Sequence, residues 1–165
     1  MIALWMELAA EAYPEARFAA PAPGPAIDDI ECRLGQRVPS DLRELLLETD
    51  GVLGEFSLDA VWTAGRIAHD NASFRSNPEF ARLYRPFDTL LFFGDNGGGD
   101  QFAFVPADPG AGVVVWEHGT DRRRTVAKRS GGLPAPNPLG RRGRVVLGVS
   151  CGRVAGASAE HNHKP

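Results

Sequence analysis

Between Ile27 and Leu46 the apolar positions recur at helical spacing in two short runs. Ile27, Ile30 and Leu34 fall on one helical face, with Asp28 and Asp29 placed for a first turn and Gly35 for the stop. Pro39-Ser40-Asp41 opens the second run, whose stripe is Leu42, Leu45 and Leu46. Glu44 stands three residues after Asp41 and four after Ser40, as in a capping box, and Gly51 is placed as a left-handed terminator. Leu58, Val61, Trp62 and Gly65 follow at i, i+3, i+4 and i+7 and predict a third helix, with Gly65 permitting close packing. Upstream, Ile2–Ala12 has helix-forming composition and Pro14 stops it. Pro21-Ala22-Pro23-Gly24-Pro25 reads as a stiff linker that no helix crosses.

At Thr89 the period changes. Leu90–Phe93 is a short apolar run, Asp95-Asn96-Gly97-Gly98-Gly99-Asp100 is a turn, and Phe102 and Phe104 then alternate with Gln101, Ala103 and Val105. Pro106–Gly112 is a second turn and Val113–Trp116 a third strand. Connections this short leave no room for crossover helices, so the strands form an antiparallel meander. Helices first and strands later predict an α+β fold, a central, mainly antiparallel sheet flanked by helices. Leu34, Leu45, Leu46, Trp62, Phe92, Phe102, Phe104, Val114 and Trp116 carry the apolar faces of these elements and are the predicted core.

Charge divides the chain more sharply than hydropathy does. The 165 residues carry a net charge of −3, but Met1–Asp121 holds 8 basic and 20 acidic residues (−12), and Arg122–Pro165 holds 10 basic residues against Glu160 alone (+9). No aromatic residue follows Trp116. The expectation is an acidic globular body with a basic, Gly/Pro-rich tail that supplies too few large apolar groups to offset its ordering entropy. No run reaches the ~18 apolar residues of a membrane span. Met1–Ala12 lacks the positive start of a secretory signal, so a cytoplasmic protein with no membrane partner is expected. Cys32 and Cys151 form no Cys-x-x-Cys and read as two reduced thiols.

Several motifs invite sharper chemistry. Gly148-Val149-Ser150-Cys151-Gly152 matches G-x-S-x-G after an apolar Val145–Leu147, which would make Ser150 a hydrolase nucleophile. The helix that must follow is missing from Arg153–Pro165, and the acid and base would have to be Glu160 with His161 or His163, about ten residues away. Gly94–Asp100 lacks the Gly-Lys-Ser/Thr ending of a phosphate loop. As a calcium loop counted from Asp95 it has Pro106 where the closing glutamate belongs. A hairpin turn needing positive φ is the plainer reading. His161-Asn162-His163, His69 beside Asp70, and His118 show no ligand constellation. Arg122, Arg123, Arg124, Lys128, Arg129, Arg141, Arg142 and Arg144 have no interleaved aromatics, so nucleic-acid binding through them would be nonspecific and salt-labile.

Three blocks in order resemble the SUKH superfamily, the family of the yeast Smi–Knr cell-wall assembly regulator and of many bacterial toxin-immunity proteins. The first runs from Leu34-Gly35 through Val38-Pro39-Ser40-Asp41-Leu42-Arg43-Glu44-Leu45-Leu46 to Asp50-Gly51, with Asp50 where asparagine is usual. The second is Leu91-Phe92-Phe93-Gly94 with Gly98-Gly99-Asp100-Gln101-Phe102-Ala103, and the third Val113-Val114-Val115-Trp116 with Glu117-His118. The resemblance covers about Ile27–Val126. It implies helices around a central sheet, no catalytic residues, no cofactor or metal, and a protein-binding role, typically neutralising a cognate toxin that is often a nuclease. The sequence departs from the family after Lys128, where an amphipathic helix is usual and Gly131–Pro138 cannot form one. A reading-frame change in a GC-rich gene (16 Arg against 2 Lys) and a genuine disordered basic tail both account for this.

These readings divide the chain into an N-terminal helix and Pro-rich linker (1–26), a SUKH-like domain (27–129) and a basic tail (130–165). The expected function is non-catalytic binding of a basic cognate toxin. The alternatives are nonspecific nucleic-acid binding through the tail and hydrolysis through Ser150. Asp95, Asn96, Asp100 and Gln101 are the candidate partner-binding residues, on the expectation that the glycine turn projects its acids away from the sheet.

Overall fold

In a computed structural model, which describes residues 6–7, 10–11 and 13–127, the chain is an α+β fold. It has helices α1 (Gly24–Leu34), α2 (Ser40–Glu48), α3 (Ala64–Ser76) and α4 (Pro78–Leu83). A small antiparallel sheet comprises β1 (Arg17–Phe18), β2 (Val52–Leu53) and β3 (Asp59–Val61) in that order. The larger sheet is an antiparallel meander of β4 (Leu91–Asp95), β5 (Gln101–Phe104), β6 (Val113–Glu117) and β7 (Arg122–Ala127). The expected meander is therefore present, extended by a strand that the arginine-rich sequence concealed. Of the expected helix over Ile2–Ala12, residues 6–7 and 10–11 are helical and the rest lies outside the described residues. So does the tail from Ser130 onward.

The proline-rich segment does not exclude a helix. α1 starts inside it at Gly24, with Pro23 as the N-cap and proline in the first turn, where a missing N–H costs nothing. Asp28 and Asp29 consequently lie beyond the first turn; Asp29 pairs with Arg33 at 2.6 Å and Asp28 with Arg43 of α2 at 3.0 Å. Gly35 does close α1, at φ +61. α2 begins at Ser40 as expected, but its N-cap is Pro39 and no side chain caps it, so the capping box is not made. α2 ends at Glu48 with extended Thr49 as its C-cap. Gly51, at φ +100, serves instead the turn into β2, where a Cβ would lie 3.1 Å from the Val61 carbonyl oxygen.

The predicted third helix is the clearest correction. Asp59–Val61 is strand β3, and the helix starts only after Thr63, whose side chain accepts from the Arg66 N–H at 3.2 Å. The i, i+3, i+4 pattern of Leu58, Val61 and Trp62 coincided with β-branched and aromatic residues that fit a buried strand equally well. A Cβ on Gly65 would meet nothing within 4 Å, so no close approach there calls for glycine. Asp50 takes part in fixing the true start: its Oδ1 accepts from the Ala64 N–H at 2.7 Å. A carboxylate at a helix N-terminus is favourable there.

Strands β4, β5 and β6 are buried on both faces, so the expected alternation in β5 fails at Ala103, which is fully buried. Register places Phe92, Ala103, Val114 and Trp116 on one face. Phe74 of α3, Phe80 of α4, Tyr84 and Phe87 pack there with Phe92 and Trp116, at centroid separations such as 5.7 Å for Phe74–Phe92 and 5.0 Å for Phe87–Trp116. On the other face Phe93 stacks on Phe104 at 4.5 Å. Eight of the nine predicted core residues are buried; Leu34, at the end of α1, is only half-buried against the core.

β4 would be an open edge, and the small sheet and α3 close it. The register of β4 against β5 skips Phe93, and the displaced Phe93 carbonyl accepts from the Trp62 N–H at 2.7 Å. Buried Asn71 of α3 donates to the Phe92 carbonyl at 2.9 Å and accepts from the Phe92 N–H at 2.8 Å, replacing a neighbouring strand. The approach requires Gly94: a Cβ there would stand 2.1 Å from the Ala60 carbonyl oxygen.

Candidate partner-binding site

The β4–β5 turn gathers the four candidate residues at one end of the sheet. Asp95 and Gln101 face each other as the last pair of the ladder, and Gly97 and Gly99 take φ +72 and +98 in the loop between them. The acids do not project outward as expected. Only 18% of the Asp95 side chain and 20% of the Asp100 side chain are exposed. Asp95 Oδ2 accepts from Trp62 Nε1 at 2.8 Å, and its Oδ1 from the Gly97 N–H at 2.9 Å. Asn96 Oδ1 accepts from the Gly98 N–H at 2.9 Å, and Asn96 Nδ2 donates to Asp100 Oδ2 at 3.4 Å. Asp100 Oδ1 lies 3.2 Å from His118 Nδ1. Asx turns bend Asp95 and Asn96 back onto the loop backbone, and the Asn96 and His118 side chains hold Asp100, none of which the count of glycines reveals. Gln101 lies on the Trp116 face of the sheet, its Oε1 buried and without a partner among the described residues.

Around this turn stand groups that the sequence did not single out. The Arg66 guanidinium sits 4.3 Å over the Trp62 ring and pairs with Asp59, with Asp70 at 3.0 Å and with Asp95 at 3.5 Å. Leu58 packs on the loop, its Cδ1 2.7 Å from where a Cβ on Gly97 would be; His118 covers Gly99, 2.6 Å from the equivalent position. Asp59, Asp70 and Asp95 thus share the one Arg66 guanidinium, and Asp100 adds a fourth carboxylate within the turn. The misread helix hid the juxtaposition of Trp62 and Arg66 with Asp95. The signal that could have found it was Thr63 as an N-cap, which sets Arg66 one turn into α3.

The remaining candidates lie elsewhere. His69 is exposed on α3 with Nδ1 3.0 Å from Asp70 Oδ1. Arg122, Arg123 and Arg124 belong to β7: Arg124 reaches Glu117 at 3.4 Å, and Arg123 donates to the Arg85 and Pro86 carbonyls at 2.8 and 2.9 Å. The first three arginines of the basic segment are thus part of the sheet rather than of a tail. Ser150, Cys151, Glu160, His161, His163 and the arginines at 141, 142 and 144 lie outside the described residues. Cys32 is a free, exposed thiol on α1. Among the described residues no group of three or more His, Cys, Asp or Glu is arranged to hold a metal, and no helix is long and apolar enough to cross a membrane.

The profile of the SMI1 / KNR4 family (SUKH-1) matches residues 21–130. The chain belongs to this family. A comparison with curated proteins returns no match. The SUKH-1 motifs now have places in the fold: the first spans the end of α1, all of α2 and the turn to Gly51; the second is the β4–β5 hairpin; the third is β6. Trp116, which ends the third, donates from Nε1 to Asp121 Oδ1 at 2.9 Å. Asp121 is held at φ +51 and also accepts from the Arg85 N–H at 2.9 Å. Partial burial works to raise the Asp121 carboxyl, but the hydrogen bonds from the Arg85 backbone, the Trp116 indole and the Arg85 guanidinium, with Arg123 close by, outweigh it and hold the group below its ordinary value.

Proposed function

We propose that this SUKH-1 chain is a non-catalytic immunity module that binds a cognate toxin, a basic protein such as a nuclease, and holds it inactive in the cytoplasm. Family membership over residues 21–130 is the observation that carries this reading. The excess of carboxylates at the β4–β5 end supports it, because an acidic surface steers a basic partner to encounter and excludes like-charged ones. Asp95, Asn96, Asp100 and Gln101 are the part of the surface offered to the partner, and the charge of Asp95 and Asp100 together with Glu55, Asp59 and Asp70 is what steers it there. Co-expression with the product of the gene immediately upstream tests the function. The expected result is relief of that product's toxicity and a complex that survives gel filtration. Undiminished toxicity together with no binding at micromolar concentration would overturn it.

A further inference from the structure

Among the described residues three large apolar side chains are exposed: Leu47 (47%), Leu83 (66%) and Phe56, which is wholly in solvent (100%). Leu47 and Leu83 lie on helix surfaces, where a single exposed leucine is ordinary. Phe56 is different because its backbone is also left-handed, at φ 55 and ψ 29, a region that bulky residues avoid. The loop that carries it is firmly tied. The Gly54 N–H donates to the Leu58 carbonyl at 2.8 Å, the Leu58 N–H to the Glu55 carbonyl at 3.1 Å, and buried Tyr13 lies 3.4 Å from where a Cβ on Gly54 would be. Phe56 contributes nothing to this anchoring, yet the loop holds it out at its apex. Through Leu58 the same loop leans on Gly97, so Phe56 stands beside the acid-rich β4–β5 turn.

We infer that Phe56 is the apolar anchor with which the chain grips its partner, entering an apolar pocket ringed by lysine or arginine on that protein. The inference rests on the immunity function proposed above and names the residue that secures the complex. Aromatic anchors surrounded by a polar rim carry most of the affinity of many interfaces. The nearest acids are Glu55 and Asp59 in the same loop, and with the acidic β4–β5 turn behind Leu58 they favour a basic occupant. A second copy of this chain would bring the same carboxylates against themselves.

Phe56→Gly separates anchoring from folding, since glycine accepts φ 55 without strain. The full-length variant should melt at or above the wild-type temperature. It should bind the purified upstream gene product at least about thirtyfold more weakly. Phe56→Trp and Leu83→Ala should stay within about threefold of wild type. Wild-type affinity in Phe56→Gly would overturn the anchor and leave the immunity function standing. A lowered melting temperature in Phe56→Gly would show a structural residue, and a dimer of the chain alone that this variant dissociates would show a second copy as the occupant; either overturns the inference. Failure of the wild-type chain to bind the upstream product would overturn the proposed function and the anchor with it.

Discussion

At the scale of single residues, two aspartates at one end of the larger sheet are each held by a tryptophan indole: Asp95 by Trp62 at 2.8 Å and Asp121 by Trp116 at 2.9 Å. Asp95 accepts on both oxygens, so Asp95→Asn turns an amide N–H₂ toward one donor. The variant should lose about 1–3 kcal/mol of stability in urea unfolding. Any loss of partner binding in it must therefore be read beside its stability. Asp121→Asn keeps the left-handed backbone that asparagine tolerates and removes the charge. Because the folded carboxyl titrates below its ordinary 3.8, it stabilises the fold above that value, and this is lost as pH falls through the lower folded value. The stability gap between wild type and Asp121→Asn should be widest above about pH 5 and narrow in acid, down to the constant cost of one missing hydrogen bond. A gap that widens in acid would contradict the assignment.

At the scale of elements, the union of the two sheets depends on β3 passing directly over Gly94. Gly94→Ala places a methyl carbon 2.1 Å from the Ala60 carbonyl oxygen, which cannot swing aside as a side chain could. A loss of about 3 kcal/mol or more is expected in chemical denaturation. Gly65→Ala, with nothing within 4 Å in the first turn of α3, should instead gain up to about 1 kcal/mol. The same pair of glycines shows what the sequence could and could not convey. Gly65 sat at a helical spacing and suggested close packing that does not exist. Gly94 sat where an apolar run meets a turn, its role set by a strand 34 residues earlier that local pattern had assigned to a helix. Strands with strong local signals (β4, β5, β6) and helices with apolar stripes (α1, α2) were legible. β7 was not, because Arg123 and Arg124 use long side chains to reach the Arg85 and Pro86 carbonyls and Glu117 rather than to bury methyl groups. The turn between β4 and β5 was legible while its acids were aimed wrongly, since the Asx bond of Asp95 and the hold of Asn96 and His118 on Asp100 are invisible until the loop backbone is known.

At the scale of the molecule, charge is organised along the sheet as well as along the chain. Arginine gathers at β7, on one edge, and carboxylates gather where β4 meets β3, on the other. A basic partner would be drawn to the second edge and there find Phe56. The field should govern how fast the partner arrives, and the apolar anchor how slowly it leaves. Stopped-flow association of the full chain with the purified upstream gene product, followed over a salt series, tests the central claim most directly. The association rate should fall about tenfold between roughly 50 and 500 mM salt, with little change in dissociation. An association rate indifferent to salt, or no association at all, would contradict an acidic module built to capture a basic toxin.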